Sequence, residues 1–155
     1  RGMHPHAELD RTSTRLLVVS AKQIAKIIHL DGSRPPIRLV GHAGKIGYGV
    51  WSPDEALVLT AAIDGTARLW DAVRGDQLAI FEHPGWVQMA TFSPDGRRVV
   101  LAGLDGTAMI HDLPRYSASR AELAKLLRCR VPYIVRGDRL EPRVRDEADC
   151  TGILP

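Results

Sequence analysis

Through the first two thirds of this chain, short apolar runs of strand length follow one another, each closed by a turn signal. Ile46 to Ser52 carries a small aromatic run, and Ser52-Pro53-Asp54 then supplies a turn whose proline presets one dihedral. Leu57 to Ala62 is an apolar run that ends at Ile63-Asp64-Gly65-Thr66. An Asp-Gly pair between two apolar runs predicts a tight hairpin in which both central residues take positive φ. Thr66 to Asp71 returns as a third strand, and Arg74-Gly75-Asp76 turns the chain into Gln77 to Phe81, the fourth. The pattern predicts four short antiparallel strands and no long helix in this region.

The same pattern recurs. His42, Gly44, Ser52, Pro53, Asp54, Asp64, Gly65 and Asp71 reappear unchanged forty-one residues later at His83, Gly85, Ser93, Pro94, Asp95, Asp105, Gly106 and Asp112. Shifting back by forty-one brings up a worn third copy, with Leu16 to Ala21 under Leu57 to Ala62 and Ile37 to His42 under Leu78 to His83. That copy keeps strand-like residues but has lost its Asp-Gly turn, so its register is free to slip by one or two positions. A fixed period of this length is the mark of a repeat architecture. Residues 1–113 form the repeat region, with units at about 12–40, 41–81 and 82–113.

After Leu113 the pattern stops at Pro114. Ser119 and Glu122 have capping-box spacing and open an amphipathic segment, Arg120 to Arg128, which predicts a short helix. Val131 to Val135 and Arg139 to Glu141, flanking Gly137, predict a small hairpin, so 114–141 read as a helix-plus-hairpin extension. Residues 142–155 are polar and aperiodic, and predict a flexible tail.

The combination GH…WSPD…DGTARLWD followed by FSPDG…DGT, spread over roughly residues 12 to 113, resembles the WD40 repeat family. The resemblance implies an all-β fold of propeller blades, two clear and one degenerate, in an incomplete ring followed by the short helix and hairpin. It also implies a structural tetrad of His42, Thr60, Asp64 and Trp70, which fixes blade geometry through hydrogen bonds. The last copy keeps His83 and Asp105 but has Leu101 and His111 at the threonine and tryptophan places, and the worn first copy has Val19, Gln23 and His29. His29 and His111 then read as packing substitutes. In this family partners dock at the blade ends, where this chain places Lys45, Ile63, Trp86 and Leu104. These four are the candidate partner-binding residues, for a protein or peptide.

Composition narrows the rest. No apolar run is long enough for a membrane helix, and the start of the chain lacks the apolar core of a signal peptide. The first residues do not look like a natural start, so the expectation is the C-terminal portion of a longer protein with upstream blades. Self-association to close the ring is the other route, since three unclosed blades would leave open strand edges. Two cysteines, Cys129 and Cys150, without CxxC spacing point to free thiols and a cytoplasmic setting. Arginines outnumber the four lysines and asparagine is absent, which fits a GC-rich bacterial coding bias. The formal net charge of +3 comes mainly from a C-terminal part where both signs interleave, which argues against a nucleic-acid stripe. His4-Pro5-His6 has no ligand partners at metal spacing, and the two Arg-Gly-Asp triplets fall in turns. No catalytic motif, metal site or cofactor site is evident. The chain therefore reads as a non-enzymatic interaction scaffold. The alternative is a cis-regulatory or sensory module of a larger bacterial signalling enzyme.

Overall fold

Residues 6–20, 22–113, 133–136 and 139–142 are described by a computed structural model, and every regular element among them is a strand. The chain divides into two compact units, Arg1–Arg115 and Tyr116–Pro155. The first holds three antiparallel sheets. Sheet one is β1 (His6–Leu9), β2 (Arg15–Val19), β3 (Ile24–His29) and β4 (Ile37–Val40). Sheet two is β5 (Ile46–Trp51), β6 (Leu57–Ala62), β7 (Thr66–Asp71) and β8 (Gln77–Glu82). Sheet three is β9 (Val87–Phe92), β10 (Arg98–Gly103) and β11 (Ala108–Asp112). In the second unit β12 (Tyr133–Arg136) pairs with β13 (Arg139–Pro142) as an antiparallel hairpin. The helix expected over Arg120 to Arg128 lies outside the described residues, as does the tail beyond Pro142.

The meander arises because each pair of apolar runs is joined by too few residues for any other path. The Asp-Gly turns differ from the tight form expected. β6 and β7 are joined by three residues, Ile63, Asp64 and Gly65, and only Gly65 has positive φ, at 79°. Gly106 does the same at 82°. A three-residue loop with glycine in the left-handed position spares the aspartate that conformation and frees its carboxylate to bind backbone. The Ser-Pro-Asp turns also repeat. The Ser52 hydroxyl takes a hydrogen bond from the Leu57 amide at 2.9 Å, and Ser93 takes one from Arg98 at 2.9 Å. In both, the residue three after the serine is left-handed, Glu55 at 57° and Gly96 at 67°.

Strand pairing corrects the register of the worn copy. Arg15 faces His29, Leu57 faces Asp71 and Arg98 faces Asp112, so the first copy is offset by forty-two residues and the next by forty-one. Val18, Lys22 and Ile28, rather than Val19, Gln23 and His29, therefore stand at the places of Thr60, Asp64 and Trp70. With no Asp-Gly turn to anchor the alignment, one additional residue in this stretch had no visible place. β1 also adds a strand ahead of the expected unit. His6-Ala7-Glu8-Leu9 carries neither an apolar run nor a turn cue, and it pairs on β2 from His6↔Val19 to Leu9↔Leu16.

Consecutive sheets pack face to face. Leu17, Val19 and Ile27 of sheet one form a core with Ile46, Trp51, Val58 and Trp70 of sheet two. Gly49 permits the approach, because a Cβ there would lie 2.9 Å from Val19 and 3.1 Å from Leu17. Polar ties clamp the same seam. Arg15 donates to Asp10 at 2.8 Å, lies 4.5 Å over the Trp51 ring and reaches the Glu55 carboxylate at 3.7 Å. The Trp51 indole donates to the Glu8 carbonyl at 3.2 Å. β9 of sheet three in turn packs on β5, β6 and β7.

Candidate partner-binding site

The end of sheets two and three that carries the Asp-Gly turns is built from the lead-in to each sheet and the turn that faces it. In sheet two the Ile63 amide donates to the Lys45 carbonyl at 3.0 Å. In sheet three the Leu104 amide donates to the Trp86 carbonyl at 2.9 Å. The two pairs are equivalent positions of the repeat. They share one end because the His83 amide donates to the Gly65 carbonyl at 2.8 Å, which seats the second lead-in on the first turn. The four candidate residues are thus brought to one rim. Lys45 is exposed, Trp86 is 55% exposed and Leu104 59%, while Ile63 is half-buried.

Beneath Lys45 and Ile63 lies a continuous hydrogen-bonded chain. Trp70 Nε1 donates to Thr60 Oγ1 at 2.8 Å, and Thr60 Oγ1 lies 2.8 Å from His42 Nε2. His42 Nδ1 lies 2.9 Å from Asp64 Oδ2. A carboxylate only accepts, so His42 donates from Nδ1 to Asp64, leaving Nε2 to accept from the threonine hydroxyl. The whole run is consistent with a neutral imidazole. Asp64 also takes the amides of Ala43 at 2.9 Å and Thr66 at 3.0 Å, and the Thr66 hydroxyl at 2.7 Å. Burial alone would raise the Asp64 pKa, but the bonds from Thr66, His42 and Ala43 reverse that and hold it well below the usual carboxylate range. Burial lowers the His42 pKa, and the neighbouring Asp64 offsets this only in part. Every member of the run already has its partners. This arrangement fixes geometry and leaves no group poised to take a proton from a substrate.

Sheet three builds the same place differently. Leu101 offers no hydroxyl, and the His83 ring turns toward the rim instead, with Nε2 3.0 Å from Thr107 Oγ1 and the Gly85 amide donating to Nδ1 at 3.0 Å. Gly103 makes room for it, since a Cβ there would fall 2.2 Å from the ring. His111 is left beside Phe81, ring centroids 5.2 Å apart, with its Nε2 buried and without a partner. Burial, and then the nearness of His83, lowers its pKa. Thr66 and Thr107 were missed among the candidate residues. Their signal was present, because a threonine follows the Asp-Gly pair in both clear copies. Among the described residues no three His, Cys, Asp or Glu side chains gather as a metal site, and no helix is long and apolar enough to cross a membrane.

Two stretches, 33–71 and 75–112, match the family model described as WD domain, G-beta repeat. The chain carries WD40 repeats. Each matched WD40 unit straddles two sheets. Residues 33–71 cover β4 and then β5 to β7, while 75–112 cover β8 and then β9 to β11. The outer strand of a blade thus belongs to the repeat that follows, and sheet three ends where the second match ends. A curated relative, ribosome assembly protein 4 of Chaetomium thermophilum, is 40% identical over 45 residues, which is 29% of this chain. The match spans only 9% of that relative's length, about one WD40 unit.

Proposed function

We propose that this WD40 chain is a non-enzymatic scaffold that takes a protein or peptide partner on the rim formed by Lys45, Ile63, Trp86 and Leu104. The observation that carries the reading is the pairing of Trp86 with Leu104. Two large apolar side chains, each more than half exposed, belong to residues joined by a backbone hydrogen bond at the rim. Tryptophan in such a setting is the side chain most enriched at the energetic centre of protein interfaces. Lys45 adds a single cation at the equivalent place in the neighbouring sheet. The likeness to ribosome assembly protein 4 supports a scaffold role through one shared repeat and does not bring ribosome assembly to this chain. The lysine-poor, asparagine-free composition supports a bacterial source, and the cysteines without CxxC spacing support a cytoplasmic one.

A peptide-display selection against the 155-residue chain tests the reading. It is expected to yield binders whose affinity drops about tenfold or more when Trp86 and Leu104 are both replaced by alanine. Far-UV circular dichroism and the denaturation midpoint should stay unchanged. A selection without binders, or binders indifferent to the double substitution, overturns the proposal.

A further inference from the structure

The two lead-ins that carry the rim are moored to different kinds of acceptor. In sheet two the Ala43 and Gly44 amides both go to the Asp64 carboxylate, at 2.9 and 3.4 Å. That carboxyl is held well below its usual range, so it stays a charged acceptor at neutral and mildly acid pH. In sheet three Pro84 stands in place of Ala43 and has no amide hydrogen to give. The Gly85 amide, at the place of Gly44, donates instead to His83 Nδ1 at 3.0 Å. Groups on the far side of the ring fix its tautomer. Thr107 Oγ1 lies 2.7 Å from Asp105 Oδ1, and a carboxylate only accepts, so the threonine hydrogen is spent there. Thr107 Oγ1 then accepts from His83 Nε2, 3.0 Å away, which leaves Nδ1 bare to take the Gly85 amide. Nδ1 also lies 3.2 Å from the Gly85 carbonyl oxygen. One ring nitrogen thus has both a donor and an acceptor of the same glycine within reach, and takes the donor only while it carries no proton.

We infer that His83 is a proton-operated control of the rim, in which a proton on Nδ1 expels the Gly85 amide, draws in the Gly85 carbonyl and re-aims Trp86. The regulatory role rests on the rim being the partner-binding surface. An imidazolium has no lone pair to accept with, and its Nδ1–H would face the Gly85 N–H across 3.0 Å. The Gly85 carbonyl is an acceptor already in place, and a glycine can make the rotation because it lacks a Cβ. That carbonyl belongs to the peptide plane shared with Trp86, so the exposed indole moves with it. Histidine is the side chain whose charge changes between about pH 8 and 5. Asp105, on the turn between β10 and β11, attracts a charged ring, and His111 on β11 opposes it. The Gly65 turn on the sheet-two side carries Asp64, whose carboxylate is already engaged by His42, Ala43 and Thr66. The observed rim needs the neutral ring, so a partner that fits it binds best at the upper end of that range and is released as pH falls. The Lys45 side of the rim lacks this response, because its lead-in hangs on a carboxylate.

Amide and indole NMR of the free 155-residue chain, titrated from about pH 8 to 5, tests the control without any ligand. The Gly85 amide and Trp86 indole resonances are expected to move together with one midpoint, while the Gly44 amide stays nearly still. His83→Gln should abolish the paired movement, and His111→Leu should leave it in place. A second arm takes a histidine-free peptide, selected at pH 8, whose binding depends on Trp86 and Leu104. One pH unit below the midpoint about a tenth of the rings are neutral, so its affinity should fall about tenfold for the unmodified chain and hold for His83→Gln. Gly85 and Trp86 resonances that stay still, that move along with Gly44, or that move equally in His83→Gln overturn the inference. So does a bound peptide whose affinity ignores pH. A selection that yields no such peptide overturns the rim reading and the regulatory role with it, while the paired movement in the free chain would still uphold the proton-driven turn of Gly85.

Discussion

Thr60 joins His42 and Trp70 in the interior of sheet two. It is fully buried, it accepts from the Trp70 indole and it donates to His42, so its hydroxyl satisfies two buried groups that have no access to water. Valine has nearly the same shape and neither capacity. Thr60→Val should therefore cost about 2–4 kcal/mol, the sum of two buried polar groups left without partners. Chemical denaturation would show this as a lowered midpoint with an unchanged slope. Sheet three shows what the loss looks like when it is built in, with Leu101 at that place, the His83 ring turned away and His111 Nε2 orphaned. The rim residues sit over these two unlike supports. Lys45 and Ile63 rest on a fully bonded one, and Trp86 and Leu104 on a simpler one.

At the scale of the strand and its turn, the two Asp-Gly loops make a matched pair for experiment. Alanine at either glycine must adopt positive φ, at a cost of about 1–2 kcal/mol. At Gly65 the added methyl also meets the His83 carbonyl at 3.1 Å, whereas at Gly106 it meets nothing within 4 Å. Gly65→Ala should thus lower the thermal midpoint more than Gly106→Ala does, and equal shifts would show that the seam between sheets two and three is soft. The strands on either side of Gly65 were legible in the sequence because each apolar run ends in a residue that can only turn. Leu57–Ala62 and Thr66–Asp71 have the limits that their pattern predicts. Sheet one was less legible. Its Asp-Gly signal has been replaced by Lys22-Gln23, which conceals a one-residue shift, and β1 is a polar tetrapeptide held in place by β2. The convergence of His42, Thr60, Asp64 and Trp70 was reached through the family resemblance, since residues so far apart carry no local sign of meeting. The seam formed by Arg15, Trp51, Glu8 and Glu55 left no mark either, because it joins the ends of different repeats.

Across the first unit, buried titratable groups give stability a definite dependence on pH. His42 is held neutral in the folded state by burial. The unfolded chain takes up a proton there below about pH 6.5, so it binds more protons than the folded one and stability falls as pH drops through that range. For a single histidine the slope is on the order of 1 kcal/mol per pH unit. A second loss begins below about pH 4, where unfolded aspartates protonate while Asp64 and Asp10, both held well below the usual carboxylate range, do not. Denaturant titrations between pH 8 and 3 (about one unit apart) should show both limbs, with His42→Gln flattening part of the first and leaving the second in place. One further property follows from the bond between the His83 amide and the Gly65 carbonyl, and from the bond that ties the Ile46 amide to the Lys22 carbonyl at 2.8 Å. Each carbonyl is presented by a hairpin that needs only its own neighbours to form, and each amide belongs to residues synthesised later. Short-range hairpins assemble faster than distant pairings, so the mooring points for sheets two and three are expected to form before the strands that use them. Growth from front to back is thereby written into the backbone.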